Sequence, residues 1–302
     1  MKHISLLIVL LVSFLSFSQN KNSEKNHFQL AGEVIKTGFL TIPSDFSYMG
    51  NAITKDWKTS LAYTGGMAAL VLLDKPTTKF WQNHIETNVD YHLPDIRIGN
   101  QGWPWLNHNT EDAYVSYSLI GLYVGSLATK YEKGQYVFIN AFKALTYSEI
   151  FTQLILKTIS GRQRPHRYLD DIYTPKEPFT NNPYDFFNKR DKYLFSSPYG
   201  SSFPSLHATA FFAMAKVAQM EFDNYWVPYG ALTLFFMSNV KAHNHWFSDL
   251  VGGALVGTII GRSVVKSSWE KRGIIKDKKK LSFKVIPNLS KDFQGLHIVG
   301  DF

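Results

Sequence analysis

The 302-residue chain is 19% charged and 45% hydrophobic, has no cysteine and carries a formal net charge of +8. A length of ~300 residues is enough for one large domain or two ordinary ones with a packed core, and a mean hydropathy of −0.15 is too polar for a chain made mostly of membrane spans. The absence of cysteine excludes disulfides, zinc-thiolate sites, iron–sulfur clusters and thiol nucleophiles, while a pI near 9.3 points to nucleic acid, anionic lipid or a phosphate-bearing ligand as partner.

In chain order, Lys2 followed by the apolar run Ile4 to Phe17 and the small residues Ser16 and Ser18 reads as a signal peptide cut after Ser18. An uncleaved anchor helix is the alternative, although ~20 apolar residues are wanted for a span and this run is shorter. Either reading exports the mature chain, which in a bacterial envelope means the periplasm or the membrane surface. Phe28 to Asp45 is a helix candidate ending at Ile42-Pro43, and Lys58 to Asp74 a second, stopped by Pro76. His92 to Asn109, with Pro94, Gly99, Gly102 and Pro104, reads as a loop.

Helical spacing returns over Glu111 to Tyr131 and Gln135 to Ser160. A second long loop, His166 to Phe203, holds Pro175, Pro178, Pro183 and Pro198; loops of that length in a compact domain are usually functional. Ser205 to Met220, Trp226 to Val240 and Ser248 to Lys266 complete the helices, the last with Gly253, Gly257 and Gly261 at intervals of four, a stripe that lets two helices approach closely. Thr59 to Leu73, Ala113 to Thr129 and Asn224 to Val240 lack Asp, Glu, Lys and Arg, but each is 17 residues or shorter. They read as buried helices of an all-α core rather than as spans. In the tail, Phe283 and Val285, then Leu296 and Ile298, alternate around Pro287 to Gly295, as in a β-hairpin.

Three stretches carry the chemistry. Lys157, Arg162, Arg164 and Arg167 put four positive charges and no acid at a helix end before Pro165. Pro204-Ser205-Leu206-His207 begins a helix whose free N–H groups form an anion seat, with His207 in the first turn beside it. Around Ser238 to Asp249, His245 and Asp249 stand four apart, so one helical turn sets the carboxylate against the imidazole and fixes its tautomer. Blander readings are a solvated basic helix end, a structural histidine and a helix capped by Ser248. A metal held by His243, His245 and Asp249 is disfavoured, since residues two apart on a helix diverge.

The order Lys-x6-Arg-Pro, Pro-Ser-x-His, Ser-x6-His-x3-Asp resembles the type 2 phosphatidic acid phosphatase and vanadium haloperoxidase superfamily, over Glu111 to Arg262. The resemblance implies an all-α helical bundle of the acid phosphatase/haloperoxidase type, here with a short C-terminal β-hairpin. With the readings above, the expected organisation is a signal peptide (1–18), a helical region and loop (19–110), a phosphatase core (111–265) and a basic segment with hairpin (266–302). The resemblance also implies phosphoryl transfer with no metal or other cofactor: His245, oriented by Asp249, as nucleophile; His207 as general acid and then base; Lys157, Arg164, the Ser205 hydroxyl and the Leu206 backbone N–H holding phosphate oxygens.

Two positions depart from the family pattern. Leu206 stands where a glycine is usual, and Asn239 replaces the arginine that normally follows the serine of the third motif, with Lys241 or Arg162 as candidates to compensate. The expected substrate is a phosphomonoester or diphosphate, lipid-linked or small. A vanadate-dependent haloperoxidase is the first alternative, and a non-catalytic phospholipid-binding protein the second. Residues 157–167 hold +4 and residues 266–280 hold +5, so the rest of the chain is close to neutral. That is no general basic coat for a nucleic-acid backbone; the second cluster reads as a surface or anionic-lipid contact.

Overall fold

The computed structural model describes residues 25–94, 111–169, 178–190, 193, 199–238, 240 and 244–275, and the backbone of 282–289 and 294–301. The expected signal peptide lies outside these residues, as does most of the loop expected from His92 to Asn109.

Helix α1 (His27–Leu40) starts in a capping box, with Asn26 Oδ1 accepting from Gln29 N at 2.8 Å and Gln29 Oε1 accepting from Asn26 N at 3.1 Å. After Thr41 the chain enters α2 (Ile42–Thr54). Next come α3 (Trp57–Leu72), capped by Asp56, and α4 (Asp74–Phe80), which continues as a π-helical segment, Trp81–Glu86. Pro43 and Pro76 thus sit in the first turns of α2 and α4, where a missing N–H costs nothing, instead of ending the helices before them. The two helices expected over Phe28 to Asp45 and Lys58 to Asp74 thus end at Leu40 and Leu72, a few residues before their expected stops, and the chain goes straight on into two further helices.

Then follow α5 (Glu111–Ala128) and α6 (Glu132–Ser148), the latter extended by a π-helical segment Glu149–Leu156 into α7 (Lys157–Ser160). Strands β1 (Arg164–Pro165) and β2 (Phe179–Thr180) pair in parallel. Helices α8 (Leu206–Phe222), α9 (Trp226–Ser238) and α10 (Phe247–Lys271) match the expected elements to within a few residues. Strands β3 (Ser282–Leu289) and β4 (Gln294–Asp301) form the antiparallel C-terminal hairpin, with Pro287 inside β3, opposite Leu296, and not in the turn. The described fold is all-α with two small two-stranded sheets.

Helices α8 and α10 form the centre, with α6 against both, α2 against α10 and α9 against α8. The glycine stripe of α10 permits this contact: a Cβ on Gly253, Gly257 or Gly261 would stand 2.5, 2.1 or 2.3 Å from the carbonyl oxygens of Ser205, Thr209 and Ala213. Val137, Ala144, Phe211, Val217, Ile260 and Val264 fill the core around it.

Two of the three uncharged segments expected to be buried, Thr59 to Leu73 and Asn224 to Val240, are largely uncovered, whereas Ala113 to Thr129 has Ala113, Tyr114 and Ser126 buried. No residue of α3 is buried, and in α9 only Pro228, Leu232 and Ser238 are. Leu61 is 60% exposed and Trp226 89%. Uncharged sequence describes a helix's solvent preference, and here neighbouring helices cover only one narrow side of it. Among the described residues one helix, Phe247–Lys271, is long and apolar enough to cross a membrane, and more than half of it is buried inside the fold.

Candidate active site

The three motifs meet at the N-terminal ends of α8 and α10, stitched by main-chain bonds. Ser205 N donates to Asp249 O at 3.0 Å and Ser202 N to Arg162 O at 2.9 Å. The indole Nε1 of the fully buried Trp246 donates to Gln163 O at 3.0 Å.

Helix α7 ends because Gly161 adopts a left-handed conformation (φ 50°), its N–H returning to Lys157 O. A side chain there would stand 2.4 Å from Asn188 O, so glycine is required on two counts. Beyond this turn Arg162 is wholly buried, stacked between Phe186 and Trp246 with its carbon 4.7 and 5.3 Å from the ring centroids. It bridges two carboxylates, donating from Nη2 to Asp74 Oδ2 (2.6 Å) and from Nη1 to Asp249 Oδ1 (2.7 Å), and also bonds Ser248 Oγ and Pro183 O. Such a guanidinium has no free edge to offer a phosphate, which corrects the suggestion that Arg162 compensates for Asn239. Its task is to hold the Asp249 carboxylate in place.

Asp249 Oδ2 receives Trp246 N at 2.8 Å and the Ser202 hydroxyl, and lies 3.4 Å from His245 Nδ1. The helix starts at Phe247, so Ser248 is inside it and is not its cap. The Ser248 N–H instead bonds Asp74 Oδ1 at 2.8 Å. Burial alone would raise the Asp249 carboxyl, but Arg162, His245 and Ser202 overcome it and leave the group below the ordinary carboxylate range. Burial raises Asp74, and Arg162 and Ser248 offset only part of that. Burial, then the positive charge of Arg164, brings His245 down to about 3, so its imidazole is neutral at neutral pH. With Nδ1 turned to the carboxylate, Nε2 carries the lone pair.

Lys157 is 4% exposed and forms no ion pair among the described residues. Burial, followed by Arg164 and Arg190, lowers it to about 7. Arg164 Nε bonds Ser201 Oγ at 3.3 Å. Both cations act on His245, which places them at the same site. Buried like charges gathered at a helix N-terminus need an anion. Ser205 is the N-cap of α8, its Oγ accepting from Ala208 N, and Leu206 is the first helical residue. In the first turn, His207 packs edge-on against Phe211 and has Nε2 3.7 Å from Asp112 Oδ2. Glu149, raised by burial, lies within electrostatic reach of both Lys157 and His207.

Against this geometry, residues 136–272, which contain all three motifs, match the family model of the PAP2 superfamily. That stretch, 137 of the 302 residues, is similar to the PAP2 superfamily. The similarity supports phosphatase-type chemistry in general, on a phosphorylated substrate. Neither the curated proteins nor the solved structures searched contain a match to the chain.

The fold brings Lys157, Arg164, Ser205, Leu206, His207, His245 and Asp249 to the same end of the helix pair. Asn239, Lys241 and His243 lie outside the described residues. No group of three or more His, Asp or Glu suited to a metal occurs among the described residues. Sequence reading missed Asp74, Ser202 and Arg190. Asp74 sits at the end of an apolar run with no motif around it, and Ser202 lies three residues before Ser205; only the fold reveals that both serve Asp249.

Proposed function

We propose that the chain is an exported, membrane-associated phosphohydrolase that works through a phosphohistidine. His245 Nε2 attacks phosphorus in line with the leaving oxygen, which His207 protonates. His207 then takes a proton from the water that releases phosphate and regenerates His245. Lys157, Arg164, the Ser205 hydroxyl and the N–H groups opening α8, that of Leu206 included, hold the equatorial oxygens, where charge gathers in the transition state.

The observation that carries this reading is the neutral, buried imidazole of His245, tied through Nδ1 to an anchored carboxylate and within reach of two buried cations, Lys157 and Arg164, that form no ion pair among the described residues. Phosphomonoesters or diphosphates are the substrate class. Lipid-linked members are favoured because α3 from Thr59 onward and α9 present uncharged, exposed side chains suited to a bilayer surface, with the basic segment 266–280 suited to its anionic headgroups. We assign the catalytic core to residues 111–265 and export to the leader ending at Ser18.

The test is phosphate release by the full chain, in detergent, from a chromogenic ester, a diacylglycerol pyrophosphate and an isoprenyl diphosphate. Release that survives EDTA, is blocked by orthovanadate and disappears in His245→Ala supports the proposal. A folded chain inert on all three overturns it, and halide oxidation after vanadate loading identifies a peroxidase.

A further inference from the structure

Resting on that phosphohydrolase reading, we propose that Asp112, in the first turn of α5, lines the leaving-group side of the site and selects phosphomonoesters over diphosphates. Its Oδ2 lies 3.7 Å from Nε2 of His207, the residue that protonates the leaving oxygen. Proton transfer requires that oxygen to stand within about 3 Å of the imidazole nitrogen. A leaving oxygen served by Nε2 is therefore no more than roughly 7 Å from the Asp112 carboxylate.

The carboxylate is fixed there by its neighbours. Ala113 is wholly buried and Tyr114 nearly so, with the Tyr114 hydroxyl donating to Pro94 O at 2.7 Å and its ring 5.8 Å from that of Phe235 in α9. The side chains of Asp112 and His207 are 48% and 33% exposed, whereas those of His245 and Asp249 are 0–3% exposed. The nucleophile is thus enclosed, and the group that serves the departing oxygen faces outward. Charge divides the same way. Buried Arg164 and Lys157 act on His245, whereas the Glu149 carboxylate is within electrostatic reach of His207 and Asp112 as well as of Lys157. The transferred phosphoryl group sits among cations, and the group it leaves faces two acids. From a monoester that group departs as an alcohol, neutral once it has taken the proton of His207. From a diphosphate it departs as a phosphate monoester carrying about two negative charges. Two charges about 10 Å from a carboxylate in a water-filled mouth are disfavoured about fourfold.

The test compares dodecyl phosphate with dodecyl diphosphate, identical in tail, as substrates of the full chain in detergent. Asp112→Asn should raise kcat/KM on the diphosphate, relative to the monophosphate, about fourfold. A carboxylate that only orients His207 would lower both rates in common and leave their ratio alone. A ratio that moves by less than about twofold, or moves toward the monophosphate, overturns the proposal. So does a wild-type chain that releases phosphate from the diphosphate alone. Where wild type accepts the monophosphate alone, diphosphate hydrolysis gained in Asp112→Asn supports the proposal and its absence overturns it. Should Asp112→Asn fail to fold, Glu149→Gln decides by the same ratio, in the same direction. A wild-type chain inert on both substrates overturns the phosphohydrolase reading itself, whereas normal turnover with an indifferent ratio overturns this inference alone.

Discussion

Gly257→Ala tests the contact on which the site is built. The new Cβ would lie 2.1 Å from Thr209 O, 2.9 Å from Thr209 C and 3.0 Å from Ala213 N, where ordinary contact begins at 3.4 Å. All three atoms are backbone of α8, so no side chain can swing away and the helices must part by more than 1 Å. Overpacking of this kind typically costs about 1–3 kcal/mol, and the upper end applies because the clash falls mid-interface on rigid main chain. The parting also moves Ser205 and His207, at the start of α8, relative to Asp249, at the start of α10. A thermal melt in detergent should show a drop of roughly 4–6 °C, at ~2 °C per kcal/mol for a chain of this size, with phosphatase activity falling more than tenfold. Gly65→Ala is the control, since nothing lies within 4 Å of its added Cβ; alanine's helix preference should make it neutral or stabilising by up to about 1 kcal/mol. If Gly257→Ala melts and turns over like wild type, α8 and α10 are not in the close contact described, and the argument from the glycine stripe fails.

Other outcomes follow from the charges. Lys157 titrates at about 7, so kcat/KM on a substrate of constant charge should fall as pH rises through 7 and the cation is lost; Lys157→Arg should carry the plateau well past pH 8. Arg162→Met leaves Asp74 and Asp249 buried without their shared cation and should cost about 3–5 kcal/mol in denaturant unfolding; an unshifted midpoint would mean the ion pairs do not form. His245 falls from 6.5 in the unfolded chain to about 3 when folded. Between those values the unfolded state binds the extra proton, so stability is lost as pH drops, by at most ~1.4 kcal/mol per pH unit. His245→Asn should show a shallower acid slope than wild type.

Much of the site was legible because its signals are local. Ser205 caps the helix its sequence announces, the four-residue spacing brings His245 to Asp249, and glycines every fourth residue mark the tight helix pair. What the sequence hid depends on distant partners. Arg162 looks like one more phosphate-binding cation until Asp74, 88 residues earlier, takes one of its edges. Pro43 and Pro76 signal a boundary without saying on which side the helix lies. The outward placing of α3 and α9 depends on which neighbours cover them, and apolar composition does not specify that. Arg190 belongs to no periodic pattern, and only the folding of its loop brings it to Gln153 O and Thr158 Oγ1.

Trapping the covalent intermediate tests the central claim most directly. His207→Ala, given a phosphate ester whose leaving group needs no protonation, should still transfer phosphate to His245 but lack the base that releases it. Rapid quenching should then recover an acid-labile, base-stable phosphate, approaching one per chain, on the peptide containing His245, and none in His207→Ala/His245→Ala. Wild-type turnover with no label on His245 at any quench time in His207→Ala, or label on another residue, would contradict the account.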